Sequence, residues 1–368
     1  MKILKYLILI MLLWGIPSFF SYDVSIGSKL SFLTYGLLLL YYFLSAKNKL
    51  ILPFLILGLL YFAISALSYV DNSLNYITEL IKYIILILAG GEIVRKTTIN
   101  EFFVMLMLGA CSILIHAMLF QDGFGRYSGL YLNPNGAGFI CIIGYCLSFD
   151  ITKRNLQILG QFIFTLAGIT TFSRTFIILW LLVSTISILA NRKNTLNFVF
   201  GLGAIVIAYS LATFMQLNTT RFNAFENLLN SDTNSTAQAI IQEDSRMDTW
   251  SQYYSMILDR PLLGNGYQVM SGLDSRKQGV HNTFLMVLGE SGIIPFLLIV
   301  TIYLYLLLSS IKYLHIASHK LMLSIVLIAI LMTMHNYFDN YVIIFTSMWL
   351  FASITNNVNS GIQPLSSI

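Results

Sequence analysis

The chain has 368 residues, of which 57% are hydrophobic and only 10% charged, with a net charge of +5 and a mean hydropathy of +0.77. Soluble globular chains carry about 25% charged residues. The composition therefore excludes a soluble domain and leaves a polytopic membrane protein, for which length gives no domain count.

Apolar runs of about 17 to 25 residues suffice to cross ~30 Å of hydrocarbon as helix. They occur near 3–20, 30–46, 50–69, 75–93, 101–120, 134–149, 156–172, 174–190, 196–216, 283–310, 321–338 and 341–356. This predicts an all-α integral membrane domain over 1–368 with about twelve transmembrane helices. The first run follows Lys2 and Lys5 as a signal peptide would, but Ser18-Phe19-Phe20-Ser21 is a poor small-residue cleavage site and eleven runs follow. It is expected to be an uncleaved first helix.

Basic residues in short loops set the orientation. With the N-terminus in the cytoplasm, Lys47/Lys49, Arg95/Lys96, Lys153/Arg154, Arg192/Lys193 and Lys312/Lys320 all fall on the cytoplasmic side. The loops at 21–29, 70–76, 121–133, 217–282 and 335–340 then face outward, and both termini face inward. The positive charge thus reflects topology and implies no nucleic-acid partner. Lys outnumbers Arg nine to three inside, whereas the outer face holds Arg126, Arg174, Arg221, Arg246, Arg260 and Arg276 against Lys29 and Lys277. Topology does not require that bias. Arg offers a planar fork of donors matched to phosphate and carboxylate oxygens, which points to an anionic ligand at the outer boundary; headgroup contact is the plainer reading.

Within this pattern, Glu79 and Lys82, three apart in the fourth run, form an expected intrahelical pair. Cys111, Cys141 and Cys146 fall inside predicted helices and speak for neither disulfides nor metal. No His/Cys/carboxylate spacing resembles a zinc site, and Gly264-Asn265-Gly266 lacks the context of a dinucleotide site. Arg174 follows the tight turn Thr171-Phe172-Ser173 between two runs, so its charge lies at the outer boundary or just below it. Charges at that depth are functional candidates, with snorkelling to headgroups as the alternative.

The 217–282 interruption is the one long polar segment, predicted as an extracytoplasmic loop between the ninth and tenth helices. Asp244 or Ser245 can cap a helix with Asp248 in its first turn and Met247, Trp250, Tyr254, Ile257 and Leu258 at helical spacing; Pro261 ends it. Its apolar face suits the membrane interface, with Arg246 at its start and Arg260 at its end. His281 stands where the next run begins. A lone His at a helix start is more often structural, but an imidazole with reference pKa of about 6.5 accepts a hydroxyl proton near neutrality. His335 is the competing candidate, while His116 lies within a run and His315 and His319 are cytoplasmic. Glu290 lies about two turns into its helix, beside an expected kink at Gly292 or Pro295.

Several stretches carry a resemblance. They are the segment Gly125 to Gly136 with its Asn133-Pro134-Asn135, then Phe172-Ser173-Arg174-Thr175, Arg246 to Trp250, Pro261 to Gly266, and His281 to Leu285 with Glu290-Ser291-Gly292. Their order and the late outer loop resemble the O-antigen polymerase and ligase superfamily, by motif over about 120–312 and by topology over the whole chain. The resemblance implies a glycosyltransferase with GT-C-like architecture, independent of metal and cofactor. Its donor would be an undecaprenyl-pyrophosphate-linked oligosaccharide, and it would act at the outer face of the bacterial cytoplasmic membrane, making or extending lipopolysaccharide or capsule.

By position, Arg174 and Arg246 match family residues for the donor pyrophosphate and His281 the residue that assists the acceptor hydroxyl. Arg126, Asn133, Asn135, Arg221, Arg260, Asn282 and Glu290 complete the expected substrate-binding set. Implied partners are membrane lipids and the chain-length regulator and flippase of the same pathway. His281-Asn282, nine intervening residues and then Gly292 resemble the ligases, which transfer glycan to lipid A-core, but Pro295 departs from their pattern. The 126–135 segment looks more like the polymerases, the favoured reading. A transporter or flippase of lipid-linked oligosaccharide is the rival from another class, and it would need more polar groups across the bilayer than Glu79, Lys82 and Glu290 provide.

Overall fold

A computed structural model describes residues 1–68, 70, 72–120, 126–214, 246–272 and 278–359. These residues form helices and turns without strands. The helices are α1 (Lys2–Leu13), α2 (Ile16–Phe19), α3 (Val24–Leu44), α4 (Leu52–Ser65), α5 (Ser73–Arg95), α6 (Ile99–Leu119), α7 (Pro134–Ser148) and α8 (Arg154–Thr170). They continue as α9 (Arg174–Ala190), α10 (Thr195–Phe214), α11 (Arg246–Asp259), α12 (Thr283–Ser291), α13 (Ile293–Ile311), α14 (Ser318–Leu331) and α15 (Tyr341–Asn359). Among the described residues, α3, α6 and α13 are each long and apolar enough to cross a membrane, and α1 with the Ile16–Tyr22 segment, bent by 46°, makes a fourth. Shorter apolar helices include α4, α7, α9 and α14.

The core is built around α7, where every residue from Ala137 to Ser148 is buried. A helix apolar on all sides has no face to offer water or lipid and becomes the centre of its bundle. Helices α6, α8, α9 and α14 pack around it. At one end, charges are tied to neighbours. Lys5 donates to Glu101 at 2.6 Å and to the Lys96 carbonyl at 3.0 Å, Asn48 meets Glu92 at 2.6 Å, Arg95 reaches the Lys49 carbonyl at 2.8 Å, and Lys320 reaches the Ser353 carbonyl at 3.0 Å. Each bond joins chain segments that the basic-residue pattern assigns to a single face.

Three expectations change in detail. The 283–310 run is two helices, broken at Gly292, whose φ of +77° suits glycine; Pro295 lies in the first turn of α13, where no intrahelical N–H is missed. The break leaves the Gly289 and Glu290 carbonyls without helical partners, a costly state in a membrane protein. The turn after α11 supplies donors: Asn265 N lies 2.8 Å from the Gly289 oxygen, and Gly266 N lies 3.1 Å from the Glu290 oxygen.

Second, the run expected to reach 338 stops at Leu331, because His335, Asn336, Asp339 and Asn340 cannot extend an apolar helix, and 332–340 forms a loop. Third, α11 keeps Trp250 and Ile257 of its expected stripe against the core but turns Tyr253 inward in place of Tyr254. Tyr253 (2% exposed) and Ile257 (6%) are buried while Tyr254 (43%) and Leu258 (75%) face outward. Packing on α12 selects that face. Asp248 lies in the first turn and the helix ends before Pro261, as the sequence indicates; Asp244 and Ser245 lie outside the described residues. Glu79 and Lys82 pair at 2.8 Å within α5, also as expected.

Candidate functional site

At the end of the bundle opposite the tied charges, loops from five parts of the chain help line two adjoining chambers. The outer one, about 470 Å³, is lined by Gly15 and Ser18, by Leu130 to Gly136, by His281, and by the 333–343 segment. The inner one, about 210 Å³, is lined by Tyr61, Glu79, Tyr267, Gln268, Glu290 and Asp339 among others. His335, Asn336 and Asp339 belong to both walls.

His281 and His335, which the sequence presents as rivals, are partners. Their Nδ1 atoms are 3.2 Å apart, the ring centroids 4.6 Å, and the ring planes meet at 73°. His281 is exposed to the outer chamber and held at a φ of +44°, a left-handed conformation uncommon for a residue other than glycine. His335 is half-buried. Burial, and then the neighbouring His281 imidazole, hold its pKa down to about 4, so it is neutral at physiological pH.

The Arg126 segment joins the same wall. Arg126 donates to Asn135 Oδ1 at 2.8 Å and to the Thr171 carbonyl at 3.2 Å, and Tyr127 N meets the Thr170 carbonyl at 3.3 Å. The 126–136 segment is thereby fastened to the turn that carries Arg174. Asn133 caps α7, accepting from Asn135 N and Gly136 N, so its side chain both lines the chamber and starts the core helix. Arg174 is exposed at the first position of α9, where Ser173 is the N-cap.

The remaining predicted residues are placed less centrally. Asn282 is buried and caps α12, accepting from Phe284 N and Leu285 N. Glu290 is buried in the inner wall, accepting from the Tyr61 hydroxyl and, at 3.0 Å, from Met270 N. Both side chains already perform structural work, which the sequence did not indicate. Arg246 opens α11, and Arg260 is exposed where its carbonyl closes the turn to Gly264 at 2.9 Å. Arg260 is not among the residues lining either chamber. Arg221 lies outside the described residues.

Sequence reasoning missed Tyr61, Asn336, Asp339, Tyr267 and Gln268 as wall residues. The first is an ordinary tyrosine in an apolar run and carries no signal. The next two belong to the polar cluster His335 to Asn340 in a very short loop, which is a signal. Backbone geometry gives another: among the described residues the non-glycine positive φ values are at Leu132, Phe172, Gln268 and His281. Three line a chamber and the fourth lies two residues before Arg174. Strain of this kind persists where the fold over-determines a functional surface.

Residues 159–300 match a family model described as O-antigen ligase. Over that segment the chain is similar to the O-antigen ligase family. The match spans Arg174, Arg246, Arg260, His281, Asn282 and Glu290, and it supports the O-antigen ligase and polymerase superfamily that the motifs resemble. Members of this family are glycosyltransferase-like enzymes, polymerases or ligases, whose function implies lipid-linked glycan substrates and membrane lipids. The apolar helices, together with this similarity, are consistent with a membrane protein. No curated protein matches the chain.

Proposed function

We propose that this protein is a polysaccharide polymerase that joins undecaprenyl-pyrophosphate-linked repeat units at the outer face of the cytoplasmic membrane. The observation that carries this reading is the exposed His281 imidazole in a chamber walled by Asn133 and Asn135, beside the turn bearing Arg174. The acceptor hydroxyl oxygen bonds to the anomeric carbon of the donor as that carbon's bond to pyrophosphate breaks. The hydroxyl proton passes to His281, and the departing pyrophosphate takes its charge stabilisation from Arg174 and Arg246. A positioned base contributes about 10²–10⁴ in rate, and fixed guanidinium donors stabilise a developing anion without reorganising. Arg126, Asn133 and Asn135 bind sugar hydroxyls or phosphate on the chamber wall, with Arg221 and Arg260 as further anion contacts on the outer face.

The proposal includes a single integral domain of about twelve spans, the shorter apolar helices among them, with 217–282 outside and both termini inside. Single cysteines at Ser235 and Asn194 check this: an impermeant thiol reagent applied to spheroplasts should label only the former. Labelling at Asn194 reverses the orientation.

The ligase reading is favoured by the description of the matching family model, and it differs in requiring lipid A-core. Purified protein given a lipid-linked repeat unit alone should produce a ladder of polymers. No ladder until lipid A-core is added, and then a single transfer, identifies a ligase; movement of substrate between leaflets without a new glycosidic bond identifies a transporter.

A further inference from the structure

Four contacts hold His335 against His281. Thr283 donates its hydroxyl to the Met334 carbonyl at 2.9 Å, tying the start of α12 to the residue before His335. Val280 N donates to the Met270 carbonyl at 3.1 Å, fixing the strand of chain that leads into His281. Gly279 lies flat against the other edge of the His335 ring: a Cβ there would come 2.8 Å from Cε1 and 2.9 Å from Nε2, and 2.6 Å from the Ser271 carbonyl oxygen. On the near edge, the two Nδ1 atoms are 3.2 Å apart. The His335 imidazole is therefore clamped between Gly279 and His281.

We propose that His335 is the positioning residue for His281, its Nδ1 accepting a hydrogen bond from His281 Nδ1–H and so leaving the His281 Nε2 lone pair to face the acceptor hydroxyl. This rests on the reading of His281 as the base. Two neutral imidazoles meeting through Nδ1 require one donor and one acceptor, and the hydrogen bond on one ring nitrogen decides the state of the other. With His281 donating, His335 carries its own proton on Nε2. When His281 Nε2 takes the hydroxyl proton, the new imidazolium keeps donating through Nδ1–H to the same lone pair. The charge remains on His281, and no proton passes to His335. Its half-buried, neutral state suits an acceptor that stays uncharged through turnover.

The titratable groups around the pair are Glu79, which is paired with Lys82, together with Glu290, Asp339, Tyr61, Tyr131, Tyr267 and Tyr341 of the two chamber walls. None of them is exchanged by substituting His335, so a change in the acid limb of the rate profile reports on the imidazole contact.

The test compares His281→Ala, His335→Ala, His335→Gln and Gly279→Ala in the lipid-linked polymerisation assay, each as full-length purified protein. We expect His335→Ala to lower kcat by about 10- to 100-fold, less than His281→Ala, with KM little changed. Loss of the acceptor destabilises the His281 imidazolium, so the acid limb of the kcat profile should move to lower pH. His335→Gln, whose amide oxygen also accepts, should recover part of the rate and of the limb position. Gly279→Ala, which presses on the clamped ring without removing it, should lower kcat in the same sense.

Equal rates and an unshifted acid limb in both His335 variants, with only protein yield reduced, would overturn the inference and leave His335 as packing. The same holds if His335→Ala retains full activity while His281→Ala is inactive. Full activity in His281→Ala overturns instead the base assignment on which the inference stands.

Discussion

The two ends of the helix bundle treat charge in opposite ways. At the Lys-rich end, Lys5, Glu92, Arg95 and Lys320 all spend their polar atoms on neighbouring segments, and no non-glycine residue described there has a positive φ. At the other end, polar side chains line chambers, four non-glycine residues hold strained backbones, and Arg174 is exposed at a helix start. The first arrangement ties charged groups to neighbouring segments for stability, and the second sets polar side chains, several of them bonded to one another, along chamber walls. Substitutions at the first end should change stability without changing kinetics, and at the second the reverse.

The largest effect expected is from His281→Ala, which should lower glycan transfer by about 10²–10⁴-fold while the folded protein remains abundant, since its exposed ring packs little. Steady-state transfer at matched protein level checks it, and near-normal rates would erase the functional half of the comparison. Arg174→Lys comes next. It keeps the charge but loses the fork, so a loss of about 10- to 100-fold is expected; unchanged polymer yield would reduce Arg174 to a residue that reaches for headgroups.

A smaller effect is expected on stability through pH. His335 has a folded pKa of about 4 against about 6.5 in an unfolded chain. Between those values the unfolded chain binds a proton that the folded one refuses, so this contribution is intact above about pH 6.5 and is lost as pH falls towards 4. Thermal melting in detergent should therefore show wild type losing more stability than His335→Gln between pH 7.5 and 5. Equal losses would mean that His335 does not titrate this way. The smallest change belongs to the other end: Glu101→Gln weakens the 2.6 Å contact between partly exposed Glu101 and buried Lys5 and should cost about 1 kcal/mol, with kcat and KM unaltered. A kinetic defect there would show that the two ends are coupled.

Much of this architecture is readable from residues that act locally. Apolar runs place helices because their length and composition leave few alternatives in a bilayer, and the tight turn before Arg174, the stop at Pro261, the Glu79–Lys82 pair and the weak point at Gly292 each follow from a few adjacent residues. The inward face of α11 was readable only in part, through Trp250 and Ile257. Both Tyr253 and Tyr254 satisfy an apolar stripe, and only packing on α12 chooses between them.

The same limit applies at the site. The sequence by itself determined a helical chain of membrane-like composition with an Arg bias among its predicted loops, since hydropathy and charge are properties of the chain. Only the tertiary structure decided that His281 and His335, 54 residues apart, share a hydrogen bond, that Tyr61 reaches Glu290 across 229 residues, and that Asn282 is spent on capping a helix. Such contacts depend on how the chain brings distant segments within about 3 Å of each other, a distance that hydrogen bonds require and that no local residue pattern encodes.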